Sequence, residues 1–223
     1  MIARAVLRYT RAMARGDVEP KQRSRKDAIL DEATRLFAER GYEGTSMADL
    51  AERVGLRKAS LFHHFASKEQ LRGAVLERLV QRITSKLSSA SQVGTNDRDA
   101  FAKQLDVLTE NVVNMLGEQP YAARLMVREA MEWDASSKDT LCVAFSESLR
   151  AGEQFLQSAQ QAGHCVQGDP RQLIASLMGL HILPFALCGV MERFTGHAPW
   201  SDEFVAARRE AVKAQVRTLL VKG

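Results

Sequence analysis

Apolar residues recur at helical spacing along most of the chain. Ile29, Ala33, Leu36 and Phe37 define one face of a helix that ends at Arg40-Gly41, with Tyr42 placed to pack back on it. Met47, Leu50, Ala51 and Val54 fall at i, i+3, i+4 and i+7 and predict a short helix. Thr45 and Ser46 supply N-cap oxygens ahead of it, and Gly55 can leave it with positive φ. A second short helix follows almost at once, with Leu61 and Phe65 inward. Ser67-Lys68-Glu69-Gln70 then reads as a capping box, opening a long helix on which Leu71, Val75, Leu79, Ile83 and Leu87 advance in steps of four.

The remainder, residues 69–223, also reads as all-α. It has no alternating apolar runs bounded by hairpin turns and no repeat. Breaks fall near Ser91–Asp97, Gly117–Pro120, Asp134–Ser137, Gly163–Asp169 and Gly196–Trp200, giving nine helices beyond the N-terminal arm. Asp169-Pro170-Arg171-Gln172 places Asp at N-cap, Pro at N1 and Gln at N3, and Ser201-Asp202-Glu203 opens the last helix. From Leu173 to Met191 only Ser176 and His181 are polar. A helix over Pro170–Phe194 apolar on every side is expected to be buried on every side, one face in its own domain and another against a second subunit. Pro184, Gly179 and Gly189 argue against a bilayer span, and Ala175 with Gly179 would permit close helix approach. Phe204, Val205, Val212, Val216 and Leu219 mark the apolar face of the helix after it.

Helix, tight glycine turn and helix is the arrangement that lays a second helix in the DNA major groove, although two short helices capping a helical domain would share the spacing. On a helical wheel Ala59 and His63 lie opposite Leu61 and Phe65, flanked by Ser60 and Phe62. The stretch AILDEATRLFAERGYEGTSMADLAERVGLRKASLFHHFASKEQL resembles the DNA-binding domain of the TetR family of one-component bacterial transcriptional regulators. The resemblance covers about Arg23 to Ile83 and agrees in order and spacing through RGY, the Thr-Ser cap, LAERVGL, LFHHF and SKEQL. It departs from the family at Arg57, usually Ser or Thr, at Ala59, often Gly, and at Phe62, usually a Tyr whose hydroxyl reaches a phosphate.

The resemblance implies a three-helix helix-turn-helix domain over 23–83, preceded by an extension over 1–22 and followed by a larger effector-binding and dimerisation domain over 84–223. Its DNA surface would comprise Arg25, Thr45, Ser46, Arg57, Lys58, Ala59, Ser60, Phe62, His63, His64 and Lys68. Lys68 and the following helix N-terminus would hold one phosphate, and Thr45 or Ser46 with Arg25 the flanking backbone. His63 and Ser60 would face the groove, with Lys58 available to guanine. The last two helices would pair between two copies as a four-helix bundle.

Charge placement agrees. Residues 1–68 carry 14 Lys/Arg against 9 Asp/Glu, whereas residues 69–223 carry 17 against 18. The first twenty residues set Arg4, Arg8, Arg11 and Arg15 on one helical face, with no acid before Asp17. They lack the apolar run of a secretory signal and read as a phosphate-contacting arm, as a disordered extension, or as a stretch upstream of a start at Met13. Cys142, Cys165 and Cys188 are too scattered for a disulfide framework or metal knuckle, which points to the reducing cytoplasm.

Catalysis finds no motif: there is no HExxH, no GxSxG and no Gly-rich phosphate loop. His181 and Cys188 stand two helical turns apart, too far to share a metal, and Glu129 with Glu132 is explained by a solvated face. No cofactor, metal or membrane is expected. The expected partners are an operator duplex, a second copy and a small-molecule effector. Met115, Met126, Trp133, Phe145, Met178 and His181 are candidates for an effector cavity, each with core packing as its plainer role. A constitutive DNA-binding regulator would share every motif, and an enzyme merely localised by such a head would need a polar cluster not seen here.

Overall fold

The structure, a computed structural model, describes residues 24–222 apart from 91–96, 120 and 132–137, and describes only the backbone of 86–90 and 138–145. The extension over 1–22 and Trp133 thus lie outside the described residues, as does the side chain of Phe145. Among the described residues the chain forms ten helices. These are α1 (Arg25–Arg40), α2 (Met47–Arg53), α3 (Lys58–His64), α4 (Lys68–Ala90), α5 (Arg98–Glu118), α6 (Ala122–Met131), α7 (Lys138–Gln161), α8 (Pro170–Ala186), α9 (Cys188–Thr195) and α10 (Asp202–Leu220). The protein is all-α, with a helix-turn-helix head and a larger helical body; one isolated bridge ties Cys165 to Val221.

Short polar side chains set the helix starts by satisfying first-turn N–H groups that have no partner within the helix. Ser24 and Asp27 cap α1 reciprocally: the Asp27 N–H donates to Ser24 Oγ at 3.1 Å and the Ser24 N–H to Asp27 Oδ2 at 3.3 Å. Ser46 accepts from the Asp49 N–H, Ser67 from Gln70, Asp97 from Ala100, Asp169 from Arg171 and Ser201 from Phe204. The Gln70 side chain closes its cap one residue further back than a capping box predicts, on the Ala66 N–H at 2.6 Å. Gly55, at φ 66°, turns the chain from α2 into α3.

The head does not have a core of its own. Ile29, Phe37, Leu50 and Leu61 belong to a cluster that continues through Val75, Leu79 and Ile83 of α4 into Val113, Leu125, Met126 and Phe185 of the body. A second cluster at the far end joins Phe101, Leu105, Leu156, Val212, Val216 and Leu220. Polar rungs brace α5 against α10: Asp106 receives Arg217, Glu110 receives Lys213, and Asn114 Oδ1 accepts from Arg209 at 3.2 Å. Residues rising by four on one helix meet residues falling by four on its antiparallel neighbour.

Two expectations need correction here. The single helix over Pro170–Phe194 is two helices, α8 and α9, bent by 79° about Leu187, so the count rises to ten. Pro184 has no N–H for the Leu180 carbonyl, and Arg208 of α10 donates to that oxygen instead. Within one subunit this segment is buried on one face only. In α8 only His181 and Phe185 are buried, while Leu183, Leu187 and Val190 are exposed and Phe194 is 82% exposed. On α10 the inner face runs Phe204, Val212, Val216, Leu220, leaving Leu219 outside. Among the described residues no single helix is long and apolar enough to cross a membrane.

Candidate nucleic-acid interface

Two buried anchors orient α3. Leu61 and Phe65 are buried in the core shared with the body, so Lys58, Ala59, Phe62, His63 and His64 project outward and Ser60 is half-buried. Arg57 is the N-cap of α3 and is exposed, but gives it no side-chain cap, the local cost of a cation where Ser or Thr would bond. Lys58 Nζ lies 5.9 Å from the Phe62 ring centroid. The exposed rim of the helix therefore combines cations, two imidazoles and one apolar ring, a surface able to meet both phosphates and base edges.

A second group forms at the start of α4. Lys68 Nζ lies 4.1 Å from the centroid of the Tyr42 ring and the Arg72 guanidinium 4.7 Å from it. The Tyr42 hydroxyl donates to Glu69 Oε1 at 2.7 Å. That bond, with others from its own backbone and Ser67, holds the Glu69 carboxyl down to about 2, while burial and the Glu69 carboxylate push the Tyr42 hydroxyl up to about 12. The ring fixes Lys68 beside the first turn of α4, and Glu69 is already occupied by donors.

Ser46 and Arg25 are exposed at the N-terminal ends of α2 and α1. Ser46 Oγ accepts the cap bond and keeps its own proton to donate. Thr45 is a correction. It is buried, and its hydroxyl donates to the Gly41 carbonyl at 2.9 Å, so it ties the α1–α2 turn together instead of meeting DNA.

A buried ion pair not expected from the sequence links the head to the body. Glu129, assigned above to a solvated face, is 1% exposed and pairs with Arg72 at 2.7 Å, with a second bond from Arg72 Nε at 3.1 Å. Next to it the Arg128 guanidinium packs so closely on Gly41 that a β-carbon there would lie 2.5 Å from it, and Gly41 also holds φ 78°. One turn earlier on α6, Met126 lines a cavity of about 390 Å³ in the body. Glu129 lies at i+3 from Met126 and i+4 from Leu125, within the apolar stripe of α6, and that placement was the available signal.

Met115, Met126, Met178 and His181 stand on the cavity wall, with Phe155 of α7 as an aromatic member not foreseen. His181 Nδ1 lies 2.8 Å from the Leu177 carbonyl oxygen, which only accepts, so Nδ1 carries a proton. Burial holds the imidazole below its ordinary pKa, and Nε2 is buried without a protein partner. Among the described residues no group of three His, Cys, Asp or Glu is placed to hold a metal.

Residues 29–75 match the family described as "Bacterial regulatory proteins, tetR family". Over 61 residues the chain is 46% identical to the HTH-type transcriptional repressor ComR of Escherichia coli, a match covering 27% of this chain and 29% of ComR. The chain thus matches under a third of that relative's length. In fold it is similar to the ketosteroid transcriptional regulator KstR2 of Mycobacterium tuberculosis, at TM-score 0.75 and 18% identity over 92% of this chain and 100% of that one. It is also similar to AibR, solved in complex with isovaleryl coenzyme A and operator DNA, at TM-score 0.68 and 21% identity over 88% and 98%.

Proposed function

We propose that this chain, which belongs to the TetR family of bacterial regulatory proteins, is a homodimeric, ligand-responsive transcriptional repressor that binds a palindromic operator. The observation that carries the reading is α3, held on Leu61 and Phe65 with Lys58, Ala59, His63 and Phe62 outward, on a core continuous with the cavity wall. Each subunit lays α3 in a major groove, His63 and Ser60 read bases, and Arg57, Lys58, Lys68, Ser46 and Arg25 hold the backbone, with His64 at the rim. Two such heads related by a two-fold axis reach half-sites roughly 34–36 Å apart.

Dimerisation uses α8, α9 and α10. The exposed apolar residues Leu183, Leu187, Val190 and Phe194 support it, as do the exposed Ala175 and Gly179 that leave room for a second helix. An effector in the cavity displaces Met126 and, through α6, the Arg72–Glu129 and Arg128–Gly41 contacts that seat the head. It shifts the equilibrium only by its differential affinity for the two head spacings. The cavity, within the range of small-molecule sites, favours a sensor over a constitutive DNA binder. A regulator of this kind works in the cytoplasm and needs no cofactor or catalysis.

Selecting fragments from random DNA with the purified protein, with and without a metabolite extract, tests the reading. A two-fold symmetric motif lost on adding extract is the expected result. A motif unaltered by any extract fraction would leave the constitutive reading, and no motif would remove the DNA-binding one.

A further inference from the structure

We propose that the effector is a compact, uncharged, largely apolar molecule that donates one hydrogen bond, from a hydroxyl or an N–H, to Nε2 of His181. The inference rests on the reading of the cavity as the effector site and narrows its chemistry. Three observations converge. First, the described walls are overwhelmingly aliphatic, aromatic or thioether, as at Leu105, Met115, Phe155 and Met178, so they reward apolar bulk. Second, no Lys or Arg is among the described residues that line the cavity, and its one charged residue is the exposed Glu147. A carboxylate or phosphate entering there would lose its hydration with no cation to receive it. Arg208 does not line the cavity: its Nη2 donates to the Leu180 carbonyl, and its buried Nε lies behind the wall.

Third, Nε2 of His181 is a buried polar atom at this wall without a protein partner, and its type is defined. The Leu177 carbonyl holds the proton on Nδ1 of His181, which leaves Nε2 an acceptor. An acceptor buried in an apolar wall selects a ligand donor, because an analogue lacking the donor leaves it unsatisfied. An ether or ketone of the same shape meets a lone pair with a lone pair.

Isothermal titration of the full-length protein at neutral pH with 4-hexylphenol, 4-hexylanisole and 4-hexylbenzoate separates these terms. The three share an apolar body and differ in offering a donor, no donor or an anion. The phenol is expected to bind about tenfold more tightly than the anisole, and the benzoate more weakly than either. In His181→Phe the phenol should lose its advantage while the anisole still binds. Should that variant not fold, the ratio in the unmutated protein decides alone. Anisole equal to phenol, or benzoate tightest of the three, overturns the donor assignment and leaves an apolar effector cavity standing. Binding of none of them, with operator binding by the same preparation intact, overturns the cavity reading and the proposal with it.

Discussion

The head and the body place their working groups by different means. In the head, each candidate lies within a few residues of the cap or apolar anchor that aims it: Ser46 at its own cap, His63 between Leu61 and Phe65, Lys68 beside Ser67. In the body, the cavity takes its wall from Ile83 of α4 through Met126 of α6 to His181 of α8 and Val216 of α10. A change in the head acts on one contact, whereas a change in the body acts on a shape. The two meet at α6, where a buried ion pair joins them.

The sharpest way to break that division is Glu129→Ala. It removes the buried carboxylate to which Arg72 donates, and loss of one partner of a buried pair costs about 3–5 kcal/mol. Denaturant titration should show that loss. The double variant Arg72→Met with Glu129→Met should recover most of it, because two apolar side chains leave no buried charge. A loss below about 1 kcal/mol in Glu129→Ala would mean that head and body are seated without the pair.

Next in size is the outer face of the body. Leu183 is half exposed in one subunit, so a carboxylate there reaches water and the isolated fold tolerates it. In the proposed dimer the same charge is buried without a partner. Leu183→Glu should therefore sediment as a folded monomer at micromolar concentration where the unmutated protein is a dimer. A dimeric variant would move the interface off this face of α8.

The contrast between head and body also explains what the sequence revealed. Helix boundaries in the head follow from caps and four-residue apolar steps, both local, and the family resemblance rests on the same stretch. Four of the six candidate cavity residues line the cavity, while Phe155, Leu105 and Ile174 were passed over because nothing local separates a cavity-facing apolar residue from a core one. The Arg72–Glu129 pair and the α5–α10 rungs join residues tens to over a hundred positions apart, and no local pattern announces such partners. Glu129 was misread by type, as a charge assumed solvated despite its place in an apolar stripe. The bend at Leu187 was legible in Pro184, read as an interruption of a membrane span and not as an end to the helix.

Within the head, the comparison sharpens to base contact against backbone contact. His63 is exposed on the outer face of α3, whereas its neighbour Leu61 is fully buried, so His63→Ala should leave stability unchanged. If it reads a base, preference at one position of each half-site should relax by about 1–3 kcal/mol, visible in the motif selected from random DNA. An unaltered motif would take His63 off the base-reading surface.

The smallest effect should come from Lys68→Ala, and it differs in kind. Lys68 is half-buried with its ammonium over the Tyr42 ring, at the mouth of α4 where backbone N–H groups also face outward. A phosphate held there carries no sequence information, so operator and random DNA should weaken by the same factor. The slope of log affinity against log salt should fall by about one unit, the release of one phosphate's counterions. Loss of the cation over the ring frees Tyr42 little, since its hydroxyl stays on Glu69 and the Arg72 guanidinium still lies against it. An unchanged salt slope would assign Lys68 to packing on Tyr42 alone. A changed motif with an unchanged slope would instead show that the start of α4 reaches a base, collapsing the distinction between the two groups of the head.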